Sequence, residues 1–191
     1  MKLPKDLARR VKIKCILIGD SSVGKTSLLN QYVFSEFSEG GESKVTMQKN
    51  ILHKEIPMPE HECVAVLELW DTRGQEGLQS CRKEFFDDVA VCVFVYDQSK
   101  HTSFENVNEW VEEFVFKVGK NSAKNAIILL AGNKSDLESE ISNKEIETIK
   151  NNLAQVTDTV RPVQYFETSA KANVNVDALF TAAVKTYLNK A

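Results

Sequence analysis

No stretch of the 191-residue chain approaches the run of about 18 apolar residues that a membrane-spanning helix needs. The opening MKLPKDLARRVKIK carries neither an unbroken apolar run nor a small-residue cleavage site, so the sequence reads as a chain without a spanning helix or a secretory signal. CxxC spacing is missing too: Cys15, Cys63, Cys81 and Cys92 stand apart, and Cys15 and Cys92 sit inside apolar runs, as reduced thiols of a cytosolic protein would. Basic blocks are lacking, with 24 Lys+Arg against 27 Asp+Glu and a net charge of -3, which excludes a charge-driven partnership with nucleic acid or an acidic membrane. His53, His61 and His101 have no metal-ligand spacing and read as surface residues. Repeats, low-complexity tracts and interdomain linkers are absent, and the length suits one domain with a full core.

What is present is an alternation of strands and helices. CILI at 15–18, VAVCVFVY at 89–96 and AIILLA at 126–131 are apolar on both faces and bounded by turn residues, the pattern of buried parallel strands. VLEL at 66–69 and VQYF at 163–166 add strands. The polar, loosely alternating VTMQKNILHKEI at 45–56 predicts an edge strand joined through the turn PMPEHE. Phe104, Val107, Val111, Phe114, Val115 and Val118 keep one helical face, opened by a Thr102 to Glu105 capping box and stopped at Gly119. A second box, Ser142 to Glu145, opens a helix with Ile146, Ile149, Leu153 and Val156 on one side. Val176, Leu179, Phe180, Ala183, Val184, Tyr187 and Leu188 form the stripe of the last helix. The expectation is an α/β fold: a doubly wound, six-stranded, mainly parallel sheet with helices on both faces and ligands at the carboxyl ends of the strands.

Directly after the first buried strand stands GDSSVGKTS, residues 19–27, which matches G-x-x-x-x-G-K-[ST]. Gly19 and Gly24 permit a backbone curve whose N–H groups, through Ser21, Ser22, Val23 and Ser27, converge on phosphate oxygens at a helix start. Lys25 supplies charge to the outer phosphates and Thr26 a hydroxyl for magnesium. GNKSD follows the strand at 126–131, and ETSAK follows the strand at 163–166. An aspartate carboxylate accepts from the N1–H and the exocyclic amine of guanine, a donor pair adenine cannot present, so Asp136 selects guanine.

GDSSVGKT, DTRGQ, NKSD and ETSAK, in this order at the ends of four predicted strands, resemble the motifs of the Ras-like small GTPases, with the Rab branch the nearest in look. The likeness covers about residues 10 to 190. It implies an N-terminal extension over 1–10 and a G domain over 11–190, a P-loop GTPase that binds GTP or GDP with Mg²⁺. By this resemblance Asn133 would brace the base and phosphate loops, Lys134 would pack along the guanine face, and the Ala170 N–H would meet the guanine carbonyl. Ser169 and Lys171 would support that loop, and Phe37 matches the aromatic that closes over the base. Asp71 would hold magnesium through water, Gly74 would bond the γ-phosphate, and Gln75 would orient the attacking water. Lys25, Gly74 and Gln75 are thus the catalytic candidates, and Thr26, Thr46 and Asp71 the metal candidates.

The chain also departs from the pattern. Arg73 stands where the family has alanine, either lending charge to the transition state in cis or turned outward to tune the loop. The first-switch threonine is displaced: the usual spacing lands on Ser43 or Lys44, whereas Thr46 lies two positions later. The Rab segment I-G-x-D-F is replaced by MQKNI, and the aromatic pair after GQE by GL, so standard Rab effectors are not implied. The chain stops at YLNKA without the terminal cysteines of prenylated members.

The reading is a monomeric, cytoplasmic GTP hydrolase acting as a switch in vesicle traffic. It would work with effectors, exchange factors and GTPase-activating proteins, and reach an endomembrane's cytosolic face only through a lipid anchor beyond this chain. The alternatives are a guanine-nucleotide-binding interaction module that does not hydrolyse, and a P-loop kinase. The kinase is disfavoured by NKSD and by the lack of an Arg-rich lid.

Overall fold

The computed structural model describes residues 9–38, 51–71 and 83–190. Thr46, with Ser43 and Lys44, the stretch Arg73 to Glu76, and Cys81 therefore lie outside the described residues. In chain order the elements are β1 (Arg9–Ile18), α1 (Lys25–Phe34), β2 (Ile51–Met58), β3 (Cys63–Asp71), β4 (Val91–Asp97), α2 (His101–Glu105), α3 (Val107–Val118), α4 (Lys120–Asn125), β5 (Ile127–Asn133), α5 (Asn143–Thr157), β6 (Gln164–Glu167) and α6 (Val176–Leu188).

Six strands form one sheet in the order β2-β3-β1-β4-β5-β6. The edge strand β2 runs antiparallel to β3, and every other neighbouring pair is parallel. Because strand side chains alternate, each apolar run feeds two cores at once. Ile13, Cys15 and Leu17 of β1, with Val91, Val93 and Val95 of β4, face α1 and α6. Ile16, Ile18, Cys92, Phe94 and Tyr96 face α3 and α5 on the opposite side. Tyr32 of α1 stacks on Phe180 of α6, ring centroids 4.2 Å apart, and Phe94 meets Phe114 edge to face at 5.9 Å. Fully burying such a side chain contributes about 1.5–3 kcal/mol. Cys15, Cys63 and Cys92 are buried free thiols, used as small apolar side chains.

Two local expectations change. β1 starts at Arg9 and takes in Arg9 and Arg10, which the sequence placed in an extension; Arg9 pairs with Cys63 and Arg10 with Val64. Arg10 and Lys12 lie there on the solvent-facing side, within ion-pair reach of Glu55 of β2 and Glu68 of β3. The Thr102 to Glu105 capping box does not form. Helix α2 starts two residues earlier, with Lys100 instead of Thr102 before its first turn, because the Ser103 hydroxyl bonds the carbonyl of Lys100 and accepts the Asp97 N–H. The Ser142 to Glu145 box is present in full.

After β1 the chain crosses to β2 and β3 on one side of the sheet, and from β4 onward it builds the other side. The carboxyl end of β1 is therefore a topological switch point, where loops diverge and leave a crevice. Asp71, Asp97, Asn133 and Glu167 close β3, β4, β5 and β6 at that same edge.

Candidate nucleotide and magnesium site

The loop from Gly19 to Gly24 leaves β1 at the switch point. Gly19 has φ +151°, and a Cβ built there would lie 2.0 Å from the carbonyl oxygen of Val95, so only glycine lets the loop leave against β4. Ser22 at φ +63° and Gly24 at φ +99° turn the backbone back on itself, a left-handed sequence of N–H groups suited to anions. Helix α1 begins at Lys25, with its first bond from Leu28 N to Gly24 O, so the N–H groups of Lys25, Thr26 and Ser27 have no acceptor within the helix.

Lys25 is 8% exposed. Its Nζ donates to the carbonyls of Gly19 at 2.7 Å and Asp20 at 2.6 Å, which holds the ammonium across the loop's opening. Burial lowers its pKa, while the carboxylates of Asp71 and Asp20 pull it back up. The Thr26 hydroxyl donates to Asp71 Oδ2 at 2.5 Å, and Asp71 is 1% exposed. Two hard oxygens, one anionic, thus meet beside the loop. This donor set fits Mg²⁺, which keeps waters and phosphate oxygens as its remaining ligands instead of filling an all-protein cage.

The NKSD loop follows β5. Asn133 is buried; its Nδ2 donates to Val23 O at 2.8 Å, and its Oδ1 accepts from Ala170 N at 3.2 Å and Thr168 Oγ1 at 3.3 Å. One amide therefore links the phosphate loop, the NKSD loop and the ETSAK loop. Gly24 makes room for it, since a Cβ there would stand 2.2 Å from Asn133 Nδ2. Ser169 Oγ donates to Asp136 Oδ1 at 2.5 Å, fixing the exposed carboxylate at the mouth of the crevice. Lys171 is exposed, and Phe37, just beyond α1, is 37% exposed.

Two further groups support this neighbourhood, Asp97 outside every motif and Thr168 inside ETSAK without an expected role. Asp97, at the end of β4, pairs through Oδ2 with Lys134 Nζ at 2.6 Å, while its Oδ1 accepts the Ser99 N–H at 3.0 Å and hydroxyl at 2.7 Å. Burial raises the Asp97 pKa, but the bonds from Lys134 and Ser99 outweigh it and hold the carboxyl below its ordinary value. Lys134, itself at φ +67°, is thereby anchored by its head. Thr168 is the other; its N–H donates to Gly132 O at 2.8 Å. A polar residue at a strand end facing the same edge was the available signal for Asp97. Asp97→Asn is expected to cost about 1–2 kcal/mol of stability by weakening a charge-assisted bond, and to speed release of bound GDP. Urea unfolding and a GDP chase measure the two effects.

The strand-end donors define a P-loop nucleotide-binding protein with a magnesium-competent hydroxyl and carboxylate pair. Residues 14–189 match the Ras family model. The chain is 39% identical to Ras-related protein Rab7 of Prunus armeniaca, over 95% of this chain and 84% of that protein. It is 38% identical to Ras-related protein RABG3f of Arabidopsis thaliana over 93% and 82%, and 37% identical to Ras-related protein Rab-7a of Dictyostelium discoideum over 90% and 80%. The chain belongs to the Ras family of small GTPases, in its Rab branch. It binds GTP and GDP with Mg²⁺, hydrolyses GTP, and acts as a guanine-nucleotide switch that answers to regulators and effectors. Among the described residues, no helix is long and apolar enough to cross a membrane.

Proposed function

We propose that the chain is a monomeric Rab-like switch of vesicle traffic, working at the cytosolic face of an endomembrane, with residue roles as follows. Lys25 and the N–H groups from Ser21 to Ser27 hold the phosphates. Thr26 and Asp71 hold magnesium, which neutralises charge on the phosphates when bound. Asn133, Lys134, Asp136, Ser169, Ala170 and Lys171 hold guanine, and Phe37 covers the base. Gln75 orients the attacking water with help from Gly74, and Thr46 supplies the first-switch oxygen.

The observation that carries this reading is the Asn133 amide on Val23 O, which joins the guanine-reading and phosphate-reading loops across a single crevice. Exchange factors, activators and effectors would read the nucleotide state at the segments around residues 38–47 and 73–82. The test is single-turnover hydrolysis in the GTP-loaded chain with Mg²⁺. Bound GTP is expected to decay at a rate on the order of 10⁻⁴ to 10⁻³ s⁻¹, as in unaided Ras-type enzymes. Gln75→Leu is expected to abolish that decay. Unchanged decay in the variant would remove Gln75 from the mechanism.

A further inference from the structure

A carboxylate in a phosphate-binding loop needs an explanation, because like charges in one crevice repel. Asp20 stands directly after Gly19, and its side chain is committed to helix α3. Oδ1 accepts from Trp110 Nε1 at 2.7 Å and Oδ2 from Asn106 Nδ2 at 2.8 Å. Asn106 and Trp110 are four residues apart in continuous helical register, with Trp110 N on Asn106 O at 3.1 Å, so both donors leave one face of the helix. The main-chain carbonyl of the same Asp20 accepts from Lys25 Nζ.

We propose that Asp20 is a positioning residue that clasps the phosphate loop to α3 and thereby slows nucleotide release. Each carboxylate oxygen takes one neutral donor, which fixes the peptide plane at Asp20 and, through its carbonyl, the reach of Lys25. A shift of α3 relative to β1 would pull on that carbonyl first. The clasp makes α3 a lever on the phosphate loop without touching nucleotide itself.

The inference rests on the loop being the phosphate site, and a first measurement separates the two ideas: the unaltered chain must bind a fluorescent GDP analogue with Mg²⁺. Failure there would overturn the phosphate-site reading before any variant is made. Release is then followed during a chase with excess GDP, in D20N, W110F and the double variant, each checked by thermal unfolding.

D20N is expected to speed release about tenfold, W110F by no more than that, and the double variant to be no faster than D20N alone, since W110F removes one of the two bonds that D20N already weakens. The indole N–H resonance of Trp110, assigned by its loss in W110F, is expected to move in D20N and again when GDP is stripped from the unaltered chain. A purely structural role for Trp110 would leave that resonance insensitive to nucleotide. An unmoved resonance in D20N would overturn the clasp, and unchanged release in D20N despite a moved resonance would overturn its positioning role.

Discussion

Gly19→Ala is expected to destabilise the chain by about 4 kcal/mol, the sum of backbone strain and overpacking against an immovable neighbour. The obstacle is the Val95 carbonyl oxygen, 2.0 Å from where the new methyl would stand. Val95 lies in β4 between β1 and β5, paired in register with Ala131, so the carbonyl cannot retreat without disturbing the centre of the sheet. Gly19 also sits at φ +151°, a conformation that side chains disfavour. For a chain of this size the midpoint of thermal unfolding should fall by roughly 10 °C or more. A melting curve within two degrees of the unaltered chain would mean that the loop can leave β1 by another path. The expected loss precedes any effect on nucleotide, so it should be seen in the nucleotide-free protein.

Lys25→Ala should leave the fold largely in place and sharply weaken nucleotide binding. The ammonium is held by the two loop carbonyls at 2.6–2.7 Å and faces the side on which polyphosphate would lie. Truncating one partner of a buried, hydrogen-bonded charge pair costs about 2–5 kcal/mol, so GDP affinity should fall by roughly 10² to 10³. Titration calorimetry with GDP and Mg²⁺ reads this directly. Affinity within threefold of the unaltered chain would mean that the backbone N–H groups and the helix start carry phosphate binding alone. The two substitutions thus separate a glycine that builds the loop from a lysine that uses it.

The core strands were legible because β4 and β5 are buried on both faces and therefore read as unbroken apolar runs. The first half of β1 was not. Arg9 to Ile13 pair with β3 alone, so one side of the ribbon is open and charged residues are interleaved with Val11 and Ile13. The start of α2 was misplaced because Ser103 is drawn toward Asp97 and Lys100, a preference set by the turn and not by the pair of residues that resembles a cap.

In the site, Gly19 to Ser27, NKSD and ETSAK were found as contiguous motifs, since each is one loop at one strand end. Asp97 beneath Lys134 and the donors Asn106 and Trp110 beside Asp20 were not, because these pairs form across the sheet. Asp20 and Trp110 are 90 positions apart, and only the strand order brings them together. Local chemistry is written in local sequence, whereas the supports around it depend on topology.

The amide of Asn133, lodged where Gly24 has no side chain, means that the two ends of a nucleotide meet one rigid body. Once either end has docked, the other faces its own subsite at a high effective concentration, because the phosphate loop and the NKSD loop are already joined. Guanosine and pyrophosphate offered together as separate molecules should therefore bind far more weakly than GDP, because each pays its own loss of translational freedom. The covalent bond between sugar and phosphate is then itself a recognised feature of the ligand, although no side chain need touch it.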